Sequence, residues 1–566
     1  MLFFLLLSLL SFEKESLPQV APERCNLIDV NGDGWLDLVS GSQLYDNQRG
    51  QGFVGAPSSL LAVGDFFVWG DFNNDGELDG LAVNRQNPAE FARSPEHHRV
   101  VLAGECLDSE EFDRPDNWNT LGVVLSDLDR DGKLDVALGQ AYVDESKGYE
   151  AQQMRVYAGI GDGHFEEKTL AWGFLTPGPP GASNGGRPLY GLSAADLDND
   201  GFPELLGAAY GRQWNTLWKR TQGGLYCECA AKYGLDGDSL RHGKYSEATR
   251  EKFRKRKEQR PDELPYRSNG NTFCLAPADF DGDGDLDVFS ADITHSWAGD
   301  SSDLSALLVN RLESFQEPFF ERCIEILASP DPETGFAARP SRGLARDHAP
   351  QSPSNWNQGD LQAHWTDLDC DGQLDLIVCE SDYPGNHLRI FLQNPDHSFR
   401  EAEKELAIDF NNCPGVAVGD VDRDGDPDLI TTGTRTRWPE ARPKPEVVLW
   451  RNRSSNPSLN LRLVGDGKSS NRDAIGARIY LETDQGTQMR ELQGSYGHWG
   501  QQTQPGEAHF GLGNARPTRL RIVWPDQAAS QTLIEKPPAS GWLVVRQASG
   551  ETARTSRFDA EHWRDP

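Results

Sequence analysis

Basic residues are scarce in this chain: 55 Lys and Arg stand against 88 Asp and Glu, giving a formal net charge of −33 over 566 residues. That balance excludes a sequence-independent nucleic-acid binder, which works by setting a basic surface against phosphates. Cysteine is also sparse and odd in number, with Cys25, Cys106, Cys227, Cys229, Cys274, Cys323, Cys370, Cys379 and Cys413 spread along the sequence. There is no C-x-x-C, and C-E-C at Cys227 and Cys229 lacks the usual zinc spacing. In an oxidising compartment these residues would form up to four bridges and leave one buried thiol. The sequence contains no G-x-S-x-G elbow, P-loop, H-E-x-x-H or dinucleotide fingerprint.

Long apolar runs are missing apart from Leu2 to Leu10, LFFLLLSLL. This run falls short of the roughly 20 residues that span a bilayer, and it fits the h-region of a secretory signal over residues 1–11, with no A-x-A site to fix the cleavage point. The mature protein is therefore expected to be secreted and extracellular, or periplasmic in a Gram-negative bacterium, with no transmembrane segment. The low hydropathy does not signal disorder, because 37% of the residues are hydrophobic and 15 Trp, 25 Phe and 13 Tyr can build a core.

What the chain has in abundance is one acidic pattern. D-x-[D/N]-x-D-G-x-x-[D/E] occurs seven times, starting at Asp29, Asp71, Asp127, Asp196, Asp279, Asp367 and Asp420, at intervals of 42 to 88 residues. Calcium takes six to eight hard oxygen ligands. Side chains at positions 1, 3, 5 and 9 and the carbonyl of position 7 can wrap one ion, with Gly at position 6 supplying the sharp turn. The candidate ligands are Asp29, Asn31, Asp33, Trp35 and Asp37; Asp71, Asn73, Asp75, Glu77 and Asp79; Asp127, Asp129, Asp131, Lys133 and Asp135; and Asp196, Asp198, Asp200, Phe202 and Glu204. The last three loops offer Asp279, Asp281, Asp283, Asp285 and Asp287; Asp367, Asp369, Asp371, Gln373 and Asp375; and Asp420, Asp422, Asp424, Asp426 and Asp428. Twenty-six of the 88 acidic residues occupy side-chain positions in these loops, so up to seven structural Ca²⁺ are expected.

An EF-hand shares the first half of this motif but needs a bidentate Glu at position 12. Here that position holds Ser40, Ala82, Leu138, Gly207, Ser290, Val378 and Thr431. The flanks, such as GVVLSD and LDVALG around the third loop, alternate as strands. Further strand pairs follow each loop, among them QLYDNQ with GFVGAP, MRVYAGI with HFEEKTL, and LRIFLQ with SFREAEKEL. Four strands per repeat and seven repeats predict an all-β fold, a seven-bladed β-propeller with calcium-binding loops over residues 12–454. The repeats, from about Cys25 to Asn452, resemble the FG-GAP or VCBS repeats of integrin alpha-subunit propellers.

The seventh repeat has no fourth strand before Ser454, whereas FEKESL at Phe12 to Leu17 resembles FEEKTL at Phe165 to Leu170. The N-terminal segment is expected to supply that strand and remove an open edge. Strand parity places the acid loops on one face of the ring. The long connections 84–98, 107–119, 140–153, 173–190, 230–271, 291–305, 328–361 and 432–445 fall on the other. Long connections of this kind carry function or are disordered, so that face is the expected binding surface. It holds Trp118, Trp214, Trp297, Trp356, Tyr383, His97, His98, His295, His348 and His387, residue types that either recognise a ligand or pin the loops. The run EATREKFRKRKEQR carries seven basic residues from Arg250 to Arg260 and predicts a short solvated helix, or a contact for an acidic partner.

From Ser455 the acidic pattern stops and strands alternate through residues 455–548, ahead of a polar tail, 549–566. SSNRDAIGARIYL (469–481), RELQGSYGHWGQQ (490–502), HFGLG (509–513) and VWPD (523–526) resemble the ASPIC and UnbV module, predicting a small β-sandwich-like domain. FG-GAP repeats followed by this module are the arrangement of the cartilage acidic protein family. Asn471, Arg472, Asp473, Arg478, Arg490, Glu491 and His498 could form a polar site there, or serve as turn and ion-pair residues. The expected function is a secreted calcium-binding scaffold for extracellular recognition or adhesion, with a protein or carbohydrate ligand on the long-loop face and no catalytic residues. The alternative is an enzyme acting on glycans or a secondary metabolite in the propeller funnel, for which His364, near the end of a first strand, is a candidate.

Overall fold

The computed structural model describes residues 10–21, 24–56, 64–84, 98–102, 105–107, 112, 119–144, 150–175, 186–264, 267–295, 298, 301–326, 338–340, 342–344, 357–381, 383–435, 439–441, 444–500, 503–547 and 552–555. Most of the expected signal segment, Trp118, Trp297, Trp356, His97, His348 and most of the C-terminal tail lie outside the described residues.

The chain is all-β and propeller-like. Antiparallel four-stranded units follow one another, the first built from Cys25–Ile28, Asp37–Ser40, Gln43–Asn47 and Phe53–Ala56. Each later unit opens on an inner strand followed by an acid loop: Phe66–Gly70, Thr120–Ser126, Leu189–Ala195, Asn271–Ala278, Asn357–Thr366 and Gly415–Gly419. Hydrophobic clusters join neighbours in order. Leu81 and Val123 share a core across the second and third units, and Leu206 and Val288 do so across the fourth and fifth. Ile390 and Leu429 link the sixth to the seventh. Leu27 and Leu38 of the first unit pack with Ala417 and Ile430 of the seventh, so the ring closes on itself.

Phe12–Ser16 pairs antiparallel with Glu446–Asn452, with Phe12 opposite Asn452, and is the fourth strand of the seventh unit. The N-terminal segment thus covers the edge that the seventh unit would otherwise expose. Glu247–Lys255 is a helix whose N-cap, Ser246, accepts from Thr249 N at 3.2 Å. Phe253 anchors it on Tyr245, and two of its cations are paired locally, Arg254 with Glu247 and Glu251, and Arg250 with Asp262.

The C-terminal module is a sandwich of two four-stranded sheets. One runs Glu507–Gly511, Ser458–Val464, Gly541–Arg546, Thr552–Thr555, and the other Thr487–Glu491, Arg478–Thr483, Pro517–Val523, Gln531–Glu535. Leu459, Leu461, Ile479, Phe510, Leu520, Trp524 and Leu543 fill the space between them. Part of the segment read as a polar tail is therefore an edge strand: Thr552–Thr555 pairs with Trp542–Val545.

Candidate functional site: acid loops, a docked module and an aromatic funnel

The acid loops are shaped by their own backbone. In six of them the carboxylate of position 1 accepts from the N–H of the position 6 glycine, as in Gly34 to Asp29 at 2.8 Å and Gly132 to Asp127 at 2.9 Å. That glycine has φ between 88° and 109° in all seven loops, a backbone that favours glycine. Position 4 is left-handed as well, with φ between 55° and 74°, although it holds Arg130, Cys370 and Arg423 in three loops. Position 9 is fixed from both sides: Asp135 accepts from Leu128 N at 2.7 Å and from Gly159 N of the third strand at 3.0 Å.

This folding crowds carboxylates. Oxygens of Asp127, Asp129 and Asp135 lie within 4.8 Å of one another, as do those of Asp196, Asp198 and Glu204, of Asp279, Asp281 and Asp287, and of Asp367, Asp369 and Asp371. Burial pushes the Asp37 and Asp279 carboxyls up to about 7 and those of Asp71, Asp127 and Asp285 up to about 8. Burial also raises Asp135, Asp287, Asp375 and Asp428 well above the carboxylate range, neighbouring acids adding to the effect. Buried oxygens of Asp281, Asp285, Asp287, Asp369 and Asp422 have no hydrogen-bond donor. A set of hard oxygens with repelling charge and unfilled lone pairs fits a divalent cation of the calcium class. In the fourth loop Lys219 places its ammonium against Asp198, and its Nζ lies 3.5 Å from Glu204 and 3.8 Å from Asp200.

The C-terminal module sits on this acid-loop face. Asp473 Oδ2 accepts from Asp71 N at 2.7 Å, Glu491 Oε1 from Asp196 N at 3.1 Å and Gln504 Oε1 from Asp29 N at 2.7 Å, so three loops have their first amide capped by the module. Arg472 N donates to Asn74 Oδ1 at 2.9 Å. Arg478 pairs with Glu491 and reaches Asp196, while Glu507 holds Arg423 of the seventh loop at 2.9 Å. Arg490 is half-buried, with Asp279 and Asp367 as its acidic neighbours. Asn471 instead closes a local turn onto Ile475. The polar residues singled out in the module are therefore mostly its docking surface.

One loop of the module enters the ring. Gly497–His498 forms a two-residue strand between the inner strands Thr120–Ser126 and Leu189–Ala195, with His498 opposite both Gly122 and Gly191. A Cβ on Gly191 would meet Gly497 C of the inserted loop at 3.0 Å and Phe273 O of the next inner strand at 2.1 Å, so the close packing on both sides requires glycine. Ser495 Oγ donates to Val123 O at 3.1 Å, Tyr496 OH pairs with His364 Nδ1 at 2.6 Å, and His498 O accepts from Arg24 Nη1 at 2.7 Å and Gln362 Nε2 at 3.4 Å. His364 is thereby tied to the inserted loop.

The loop separates two cavities. One, about 210 Å³, lies on the module side, with Asp279, Asp367, Asp420, Arg490 and His509 on its walls. The other, about 440 Å³, opens on the long-loop face, and its lining residues come from starts of first strands and ends of second strands, with His498 and Trp499 supplied by the inserted loop. Tyr142, Tyr190, Tyr210, Phe273, His295 and Tyr383 line this funnel. Trp214 lies outside that lining and donates to Ser268 Oγ at 3.3 Å; His98 is buried near Thr120 and Asn84, and His387 faces Glu403 at 3.5 Å. Cys25, Cys227, Cys229, Cys274, Cys323, Cys370, Cys379 and Cys413 are free thiols, against the expected bridges. Cys227 and Cys229 stand on or beside one strand, and Cys25 instead contacts Ser40 and Thr432 through its thiol.

Sequence reasoning missed an amide at the end of third strands. Asn47 Nδ2 donates to Leu36 O and Val421 O, Asn310 to Leu286 O and Leu197 O, Gln393 to Leu374 O and Phe280 O, and Asn452 to Pro427 O and Leu368 O. Each ties its own acid loop to that of the preceding unit. The recurring YDN, LVN, FLQ and WRN endings were the available signal.

The FG-GAP-like repeat profile matches residues 127–207 and 356–431, and the ASPIC and UnbV profile matches residues 467–552. No curated protein matches the sequence. Among solved structures, a luciferin-regenerating enzyme aligns at 9% identity over 78% of this chain and 95% of that one, with a TM-score of 0.31, too slight a likeness to bear on chemistry. Two stretches of the chain thus match FG-GAP-like repeats, and a stretch near its C-terminal end matches the ASPIC and UnbV domain.

Proposed function

We propose that the chain is a secreted, calcium-stabilised seven-bladed propeller over residues 12–454, capped by the 455–548 module, and that it serves as an extracellular recognition or adhesion scaffold. The observation that carries this reading is the division of the ring into a capped acidic face and an open aromatic funnel. The acid loops, with Asp29, Asp71, Asp127, Asp196, Asp279, Asp367 and Asp420 at their first positions, would hold the ions. Calcium held by the carboxylates at positions 1, 3, 5 and 9 would neutralise their mutual repulsion. The loops then act as braces, and ligand contact falls to the funnel, whose aromatic and hydroxyl side chains suit a protein or carbohydrate surface.

No Asp or Glu stands among the described residues lining the funnel. That composition supports binding over hydrolysis of a glycan, which ordinarily uses a pair of carboxylates. The test is a binding screen of the full chain against glycan and protein arrays, with calcium and with excess chelator. Calcium-dependent retention of a ligand is the expected result. Turnover of a bound glycan, or retention unaffected by funnel substitutions such as Tyr383→Ala, would overturn the reading.

A further inference from the structure

We propose that His387, Glu401 and Glu403 form a zinc site at the long-loop end of the sixth unit, separate from the seven acid loops and different from them in chemistry. One ligand atom from each residue lies within 4.8 Å of the other two. His387 stands just ahead of the third strand, Arg389–Gln393, while Glu401 ends the fourth strand, Phe399–Glu401, and Glu403 follows it. Antiparallel pairing, with Phe391 opposite Glu401, brings the start of one strand beside the end of the other. The acid loops offer oxygen donors, which calcium selects. An imidazole nitrogen with two carboxylates suits zinc instead.

A second observation concerns the ring itself. His387 Nδ1 lies 3.3 Å from Gly385 O, and because a carbonyl can only accept, Nδ1 carries the proton. In the neutral ring the lone pair of Nε2 then faces Glu403 Oε1, 3.5 Å away. Two acceptors meet with no donor between them. Glu403 is only 2% exposed, and its Oε2 has no hydrogen-bond partner among the described residues. Burying such a carboxylate is costly unless a proton or a cation sits in the gap. A proton would join only two of the atoms, whereas a metal ion also engages Glu401, the third member of the cluster. Tetrahedral zinc, with bonds of about 2.0–2.2 Å, sets its ligands about 3.4 Å apart, which matches the separation of Nε2 and Oε1. A histidine ligand ordinarily donates its other ring N–H to a carbonyl or carboxylate, as His387 does to Gly385.

The neighbours hold this set in place. Arg389 bridges Glu380 and Glu401, with Nε 3.0 Å from Glu380 Oε1, and Glu380 Oε2 accepts from His387 N at 3.0 Å. His387 and Glu401 are partly exposed, so water can reach the fourth coordination position.

The test titrates Zn²⁺ into the full chain in excess calcium, read by calorimetry and by metal content after dialysis. One zinc ion per chain is expected to stay bound against calcium. His387→Gln and Glu403→Gln should each weaken it at least about tenfold, while Asp198→Asn, in an acid loop, should not. Zinc X-ray absorption of the unaltered protein gives an answer even if a variant fails to fold, with one imidazole and otherwise oxygen neighbours expected. Sulfur neighbours would place the ion on the free thiols and overturn the proposal. So would displacement by calcium, undiminished binding in both variants, or no retained zinc, the result for a plain ion pair between a protonated His387 and Glu403.

Discussion

The carboxylate of Asp473 accepts a hydrogen bond from the backbone N–H of Asp71 at 2.7 Å, joining the C-terminal module to the second acid loop across 402 residues of sequence. Both carboxyls are raised, chiefly by burial. Asp473→Ala removes the acceptor and leaves a buried amide unpaired, which should cost about 1–3 kcal/mol in denaturant unfolding. Asp473→Asn keeps an oxygen acceptor and removes a like charge, so in chelator it should be close to neutral or stabilising. Equal losses for the two variants would show that the amide contact is immaterial.

Lys219 sets its ammonium among Asp198, Asp200 and Glu204, where it offsets the negative charge of the fourth loop. Lys219→Met should therefore lower stability in chelator and tighten calcium binding at that loop several-fold, since a cation no longer has to be displaced. Calcium titration of the variant against the parent chain measures this directly. Weaker calcium binding in the variant would contradict it.

Much of this arrangement could be read from the sequence, and the reason is chemical. The loop backbone asks for Asp at position 1 and Gly at position 6, so all seven loops stand out, and the FEKES strand was visible because it copies a strand type used elsewhere in the ring. The inserted loop was not visible. Two paired residues, Gly497 and His498, are too few to leave a periodicity, and their partners Gly122 and Gly191 lie more than 300 residues away. Nor did residue type announce the left-handed backbone of Arg130, Cys370 and Arg423, which tertiary contacts impose against local preference. The docking role of Asp473 and Glu491 needed the fold, because either residue alone reads as an ordinary surface acid.

The strand Phe12–Ser16 protects Glu446–Asn452 from being an open edge. Deleting residues through Ser16 should destabilise the seventh unit and promote self-association through the exposed edge. Size-exclusion chromatography with light scattering checks this; a deletion variant that stays monomeric at full stability would count against the closure.

The acid loops also set a pH dependence. Without metal, the folded-state carboxyls of Asp37, Asp71, Asp127, Asp279 and Asp285 sit at about 7 to 8, above the value of about 4 in an unfolded chain. The folded state then holds protons that the unfolded state releases, so the contribution of these groups to stability falls as pH rises from about 4 to about 8. In chelator the melting temperature should be higher near pH 5.5 than near pH 8, and the gain on adding calcium should grow over the same interval. A chelated chain that is more stable near pH 8 would contradict this assignment.

The most direct test of the account is thermal unfolding of the full chain with calcium and with excess chelator, alongside the calcium content of the dialysed protein. The account predicts up to seven bound ions per chain and a clear fall in melting temperature when they are removed. A melting temperature unchanged by chelator, with no calcium retained, would contradict it.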